Sequence, residues 1–281
     1  MVEKEVFKSG YVAIIGKPNT GKSTLMNALL GSKLSITTHK AQTTRHQIAG
    51  IYSDNEAQII FLDTPGIIHP EYELQKAMMR FVEKAEKEAD LILFIADASV
   101  SDIDEELLAS VKKLHKPLIL IINKMDLSNQ ESIQKLALAY ESRLEVSETI
   151  FTSALHGEGT DLLVDAVKKL LPEGPQLYPD DILSEHPVRF FVGELIREQI
   201  FLQFHEELPY SCTVEVIQYE EREDLDYINA EIIVNRKSQK GMLIGKAGSA
   251  IKKLGAQARK QIEELLDKKV YLDLHVKVRD K

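Results

Sequence analysis

The run GKPNTGKS at Gly16–Ser23 has the spacing G-x-x-x-x-G-K-[ST], which suits a loop that holds a triphosphate. Gly16 and Gly21 carry no side chain to keep the backbone away from phosphate oxygens, so Lys17, Pro18, Asn19 and Thr20 can wrap around them. Lys22 supplies a point charge to the β- and γ-phosphates, and the Ser23 hydroxyl suits magnesium, with Thr24 next to it. Farther on, DTPG (Asp63, Thr64, Pro65, Gly66) offers a carboxylate for the same ion, directly or through water. Its glycine amide is open to a γ-phosphate. NKMD (Asn123, Lys124, Met125, Asp126) carries the chemistry of base selection. Guanine presents two neighbouring N–H donors at N1 and C2, and the Asp126 carboxylate can accept both, whereas adenine would set a lone pair against it. Lys124 can lie along the base and Asn123 can tie this loop to the phosphate loop. A backbone N–H of SAL (Ser153, Ala154, Leu155) can reach guanine O6.

A second glycine turn lies in LIGKAGSAIKKLG, Leu243–Gly255. It cannot encircle a triphosphate: G-x-x-G is too short, and no Ser or Thr follows its lysine. Between two helices it suits a different phosphate, the backbone of a single-stranded RNA. Gly245 and Gly248 allow close approach around Lys246 and Ala247, and Lys252 and Lys253 extend the charge. Leu243, Ile244 and Ile251 are expected to line a groove for unstacked bases.

The elements that must position these groups are legible as alternating patterns. YVAIIG, HQIAGIYS, QIIFLDT, LILFIADA, PLILIINK and TIFTSA read as six strands. Helical spacing follows the phosphate loop and recurs at 73–88, 102–114, about 129–142 and about 159–170. This predicts an α/β domain, a mostly parallel sheet with helices on both faces and ligands beyond the carboxyl ends of its strands. LPEGPQLYPDD, with three prolines and a glycine, reads as an interdomain linker. An amphipathic helix, two strands, two helices and a last strand follow.

The net charge of −9 speaks against nucleic acid until it is divided. Residues 231–281 hold 13 Lys and Arg against 6 Asp and Glu, or +7, and the rest of the chain 22 against 38, or −16. The N-terminus lacks a signal-peptide core, no stretch approaches the ~20 apolar residues of a membrane span, and the single Cys212 cannot pair within the chain. These features fit a reducing cytoplasm.

Over about residues 8–171 the motifs resemble the GTP-binding domain of translation-factor-related GTPases. That resemblance makes KAQTTRH, at Lys40–His46, the first switch, with Thr44 closing onto magnesium and Thr43 as the alternative. With the α-β-β-α-α-β remainder, nearly the whole chain resembles the Era family, bacterial GTPases of the TrmE-Era-EngA-like group. The resemblance implies a P-loop GTPase domain at 1–171, a linker at 172–187 and a smaller α+β type II KH domain at 188–281. It further implies GTP/GDP and Mg2+ as cofactors and small-subunit ribosomal RNA, near its 3′ end, as partner. A role in assembly and maturation of the small ribosomal subunit, a monomeric state and peripheral contact with the inner face of the cell membrane are also expected. Two rival classes fit less well: a metabolic P-loop kinase has no use for NKMD, and a protein-binding scaffold does not explain the charge split.

Where Ras-like enzymes carry a water-orienting glutamine, this chain has Ile67. The compensating cation is left to Arg45, to RNA, or to a potassium ion. Similar GTPases hold potassium at the position of Asn19, with backbone carbonyls of the 37–43 loop completing its shell. Asn19 equally suits the shaping of the turn. The catalytic set is therefore expected to be Lys22, Thr44, Gly66 and Asn19.

Overall fold

Six strands whose residues are apolar almost without interruption must be covered on both faces. In the computed structural model, which describes residues 6–40 and 42–279, they form one sheet. In chain order the elements are β1 (Lys8–Ile15), α1 (Lys22–Leu30), β2 (Ile48–Ser53), β3 (Ala57–Asp63), α2 (Glu73–Glu88), β4 (Leu91–Asp97), α3 (Glu105–Lys112), β5 (Leu118–Asn123), α4 (Gln130–Glu141), β6 (Glu148–Phe151) and α5 (Thr160–Leu170). The strand order is β2-β3-β1-β4-β5-β6. Only β2 runs antiparallel, against β3, while β1 pairs in parallel with both β3 and β4. Ile14, Ile15, Ile59, Ile60, Leu93 and Ile121 are fully buried. Asp104 and Asn129 cap α3 and α4 by accepting from the N–H of Leu107 and Ser132, so both helices start where a capping side chain stands.

The remaining elements are α6 (Val188–Gln203), α7 (Leu208–Ser211), β7 (Thr213–Glu220), β8 (Asp226–Val234), α8 (Lys237–Ile244), α9 (Ser249–Leu266) and β9 (Val270–Val278). β8 is the centre of a three-stranded sheet, antiparallel to β7 and parallel to β9. Burial alternates along it, with Ile228, Ala230, Ile232 and Val234 turned inward. Leu254, Ala258 and Ile262, four residues apart on α9, meet that face together with Val192, Ile196 and Ile200 of α6.

The chain divides into two compact units. One runs through Ser35 and resumes over Thr44–Glu185. The other consists of Ile36–Thr43 and the chain from His186 on. Three sequence expectations are corrected here. The 36–43 segment does not belong with the nucleotide unit, because Ile36 is built into the apolar core of the second unit. The proline-rich stretch is not a free linker. Leu177 and Tyr178 donate their N–H groups to Gln58 Oε1 at 2.7 and 2.8 Å, and Ile51 donates to the Leu183 carbonyl at 2.9 Å, strapping it along the first unit. Nor is α6 amphipathic in its burial: Glu194, Arg197, Glu198 and Gln199 are buried with its apolar residues. Most of their polar atoms are paired, as in the Arg197–Glu194 ion pair, which is what makes such burial tolerable, while Arg197 Nη1 is buried with no hydrogen-bond partner among the described residues. Positions 1–5, 41 and 280–281, which the sequence expectations touch at the N-terminus, in the 37–43 loop and in the basic tail, lie outside the described residues.

Candidate nucleotide and RNA sites

The strand–loop–helix arrangement puts Gly16–Gly21 between β1 and the start of α1. No side chain caps α1 at that end, which leaves the first N–H groups of the helix for an anion. Gly21 stands at φ 99°, and a Cβ there would lie 2.3 Å from Asn123 Nδ2; both conformation and space call for glycine. Lys22 is buried and donates to the carbonyls of Gly16 and Lys17 at 3.2 and 2.7 Å. Burial pushes its pKa down to about 8, against the pull of Asp63. The loop thus parks a cation among carbonyls where phosphate oxygens would replace them. Asn19 is exposed and stands at φ 64°, a left-handed conformation that asparagine tolerates better than most residues.

DTPG follows β3 and comes up against this loop. Ile67 N–H donates to the Gly16 carbonyl at 3.0 Å, and a Cβ on Gly66 would lie 2.6 Å from the Pro18 backbone. Asp63 is 0% exposed. Its Oδ2 accepts from Ser23 Oγ at 2.7 Å and Ser35 Oγ at 2.9 Å, while Oδ1 is buried with no hydrogen-bond partner. Thr44 Oγ1 lies 2.9 Å from Ser23 Oγ. Burial pushes the Asp63 carboxyl above its usual range, opposed by the Ser23 hydrogen bond and the charge of Lys22. An orphaned carboxylate oxygen beside two hydroxyls is a donor set that fits a hard divalent cation. Thr43 has its hydroxyl elsewhere, donating to the Lys40 carbonyl at 2.7 Å. Thr64, included among the nucleotide-contacting residues from its place in DTPG, turns its buried hydroxyl to the Ile14 carbonyl at 2.7 Å; its side chain holds the sheet together instead.

The NKMD and SAL loops meet at the ends of β5 and β6. Asn123 donates through Nδ2 to the Thr20 carbonyl at 2.8 Å. Its Oδ1 accepts from Thr152 Oγ1 at 3.0 Å and Ala154 N–H at 2.9 Å, so one side chain joins the phosphate loop, NKMD and SAL. Ser153 Oγ donates to Asp126 Oδ1. Because the Ala154 N–H is engaged by Asn123, the neighbouring N–H of Leu155, on a residue 76% exposed, is the more open donor of SAL. Lys124 stands at φ 63°, and its ammonium is held by Asp97 Oδ2 at 2.6 Å. Burial would raise the Asp97 carboxyl, but hydrogen bonds from Lys124 and Ser99 hold it below its usual range. Asp97 was missed in the sequence, although its place at the end of LILFIAD marked it for inspection.

In the second unit, G-K-A-G closes the gap between α8 and α9. Gly245 and Gly248 stand at φ 71° and 77°, and Ala247 at 49°. Gly248 N–H donates to the Gly245 carbonyl at 3.2 Å. Lys246, Ala247, Lys252 and Lys253 are exposed, and Ile244 and Ile251 are half-buried. Leu243 is not available to line a groove: it is 0% exposed and part of the core, because the turn of α8 directs it inward while its neighbour Met242 faces out.

Residues 11–124 match the family described as "50S ribosome-binding GTPase", and residues 207–281 match the KH domain. "GTPase Era" of Geotalea daltonii is 46% identical over 99% of this chain and 94% of its own. A crystal structure of Era in complex with MgGDPNP and nucleotides 1506–1542 of 16S ribosomal RNA superposes with a TM-score of 0.92, at 40% identity, over 98% of this chain and 95% of that one. A single-residue variant of Aquifex aeolicus Era bound to GDP.AlF4- gives 0.93 at the same identity and coverage. With its P-loop GTPase unit followed by a KH unit, the chain belongs to the Era family of GTPases.

Proposed function

We propose that this GTPase is a switch on small-subunit ribosomal RNA: it holds Mg2+ and GTP in the first unit, grips single-stranded RNA of the 16S 3′ region with the second, and assists assembly of the small ribosomal subunit. The observation that carries the nucleotide half is the meeting of Ser23, Thr44 and Asp63, with one Asp63 oxygen unpaired. The RNA half is supported by the exposed lysines around the G-x-x-G turn and by the 16S fragment held by a relative of the same fold.

In this reading Lys22 leaves the Gly16 and Lys17 carbonyls for the β- and γ-phosphates, and the Gly66 amide meets the γ-phosphate. Ser23 and Thr44 ligate the metal, and Asp63 holds it directly or through water. Bound Mg2+ supplies charge neutralisation as the γ-phosphoryl leaves. Asp126 accepts the two guanine donors, Lys124 lies along the base under the hold of Asp97, and the Leu155 amide faces O6. Thr44→Val keeps the volume and removes the hydroxyl. The rate of hydrolysis should fall by at least the roughly 10- to 100-fold that follows loss of even an outer partner of a metal site, with GDP affinity nearly unchanged. Thr43→Val should hydrolyse GTP as the wild type does. The reverse pattern in single-turnover assays assigns the metal to Thr43.

Ile67 cannot orient water, so the charge developing in the transition state needs another partner. We assign it to potassium beside Asn19, whose side chain is exposed. Hydrolysis should run several-fold faster in potassium than in sodium at equal ionic strength, and Asn19→Ala should abolish the difference while GTP still binds. Equal rates for the wild type in the two salts return Asn19 to a turn-shaping role and leave Arg45 or the RNA as the source.

A further inference from the structure

The first-switch loop has its two ends and its middle in different places. Ser35, just before it, donates to Asp63, and Thr44, just after it, lies against Ser23. The residues between, Ile36–Thr43, belong to the second unit. Three residues hold them there, each in a different way. The Ile36 side chain is buried in the apolar core. Lys40 Nζ donates to the carbonyls of Phe201 and Phe204 at the end of α6, where the helix dipole favours a cation. Thr37 N–H donates to Glu198 Oε1 at 2.9 Å.

Glu198 is 1% exposed, and its carboxylate has a second task. Oε2 accepts from Gln261 Nε2 at 2.9 Å. Gln261 is on α9, the helix that begins at the G-x-x-G turn, and its Oε1 accepts from Gln199 of α6 at 2.7 Å. A carboxylate accepts at both oxygens, and no neutral side chain of this shape can do that. One residue of the KH unit therefore holds the loop that ends at the magnesium site with one oxygen and the RNA-gripping helix with the other.

We propose that Glu198 is a positioning residue for GTP hydrolysis, holding the 36–43 loop so that Thr44 reaches the metal, and that RNA seated on the G-x-x-G turn acts on hydrolysis through the Gln261 arm of the same carboxylate. This rests on the functional reading above. Because the link is a coupling free energy, it works in both directions: nucleotide that draws in Ser35 and Thr44 also changes the hold on α9.

The test uses the full-length protein, a single-stranded oligonucleotide of the 16S rRNA 3′ end, and two variants. Glu198→Gln keeps the shape but sets an amide N–H2 against one of the two donors. Its kcat should fall about fivefold or more, the low end of ordinary coupling, while KM for GTP stays within about twofold and RNA no longer alters kcat. Gln261→Leu cuts only the α9 arm; its basal kcat should stay within about twofold of the wild type while the response to RNA disappears. Thermal melting accompanies both, and if Glu198→Gln fails to fold, Gln261→Leu decides alone. A wild-type kcat in Glu198→Gln, an equal loss in kcat and substrate binding, or an intact RNA response in Gln261→Leu overturns the proposal. So does a wild type that binds the RNA without any change in kcat. A wild type that neither hydrolyses GTP nor binds the RNA instead overturns the functional reading beneath it.

Discussion

Asp126→Asn should weaken GTP binding by on the order of a hundred-fold and open the site to XTP. The carboxylate sits at the turn after β5, steadied by the Ser153 hydroxyl on one oxygen, with lone pairs left for the two neighbouring donors of guanine. Replacing one oxygen by N–H2 loses a hydrogen bond to a charged acceptor and sets donor against donor; at about 1.5–3 kcal/mol for the bond, with the repulsion added, a hundred-fold is the expected order. Xanthine carries a carbonyl at C2, so the new amide finds an acceptor there. Competition binding with GTP, XTP and ATP measures this, and a variant that keeps wild-type GTP affinity removes Asp126 from base selection. ATP should stay excluded in both proteins, because the carboxylate or amide is only one element of a loop shaped around O6.

The second large effect is expected from Lys246→Asp combined with Ala247→Asp. Both positions are exposed on the turn between α8 and α9. The double change removes a cation and adds two anions where a phosphate backbone would pass, so single-stranded RNA affinity should drop by roughly a hundred-fold or more at physiological salt. The turn itself should survive. Ala247 already stands at φ 49°, a conformation that aspartate tolerates better than alanine. GTP binding and basal hydrolysis should therefore be kept, and a combined loss of both activities would point to unfolding instead. If RNA affinity is retained, the groove lies elsewhere on the second unit, the α6–α9 face around Lys253 and Lys260 being the next place to look.

What could be read from the sequence was whatever is encoded within a few residues. The phosphate loop needs glycines and a lysine at fixed spacing on one strand–helix turn, and the chemistry of NKMD is a local donor and acceptor pattern. Long apolar runs gave the buried strands, and the division of charge set the C-terminal stretch apart from the rest. The structure departs from those readings where a side chain is governed by something distant. Leu243, Ile244 and their neighbours are similar apolar residues on a short helix, and only the packing of α8 decides that Leu243 goes into the core. Thr64 reads as part of a nucleotide motif, yet its hydroxyl meets a carbonyl fifty positions earlier. Asp97 and Lys124 lie 27 positions apart, too far for any pattern to join them. The 36–43 loop is the strongest case. Its apolar residue Ile36 enters a core made of residues from Val192 onward, and no local feature of the sequence around it says that the segment is anchored there. The prolines after Leu171 make that stretch read as an interdomain linker, but their neighbours Leu177 and Tyr178 find the buried amide of Gln58.

The central claim, a GTPase whose second unit grips the backbone of single-stranded RNA, is tested most directly by the salt dependence of RNA binding. The full-length protein would be titrated with the 16S 3′-end oligonucleotide across a range of potassium salt. Release of counterions gives a slope of about −0.7 per phosphate neutralised on a single strand. With Lys246, Lys252 and Lys253 as the contacting cations, log affinity against log salt should fall with a slope of about −2, and more shallowly once Lys246 and Ala247 are aspartates. Binding that is flat in salt, or a slope unchanged by that double substitution, would contradict the account.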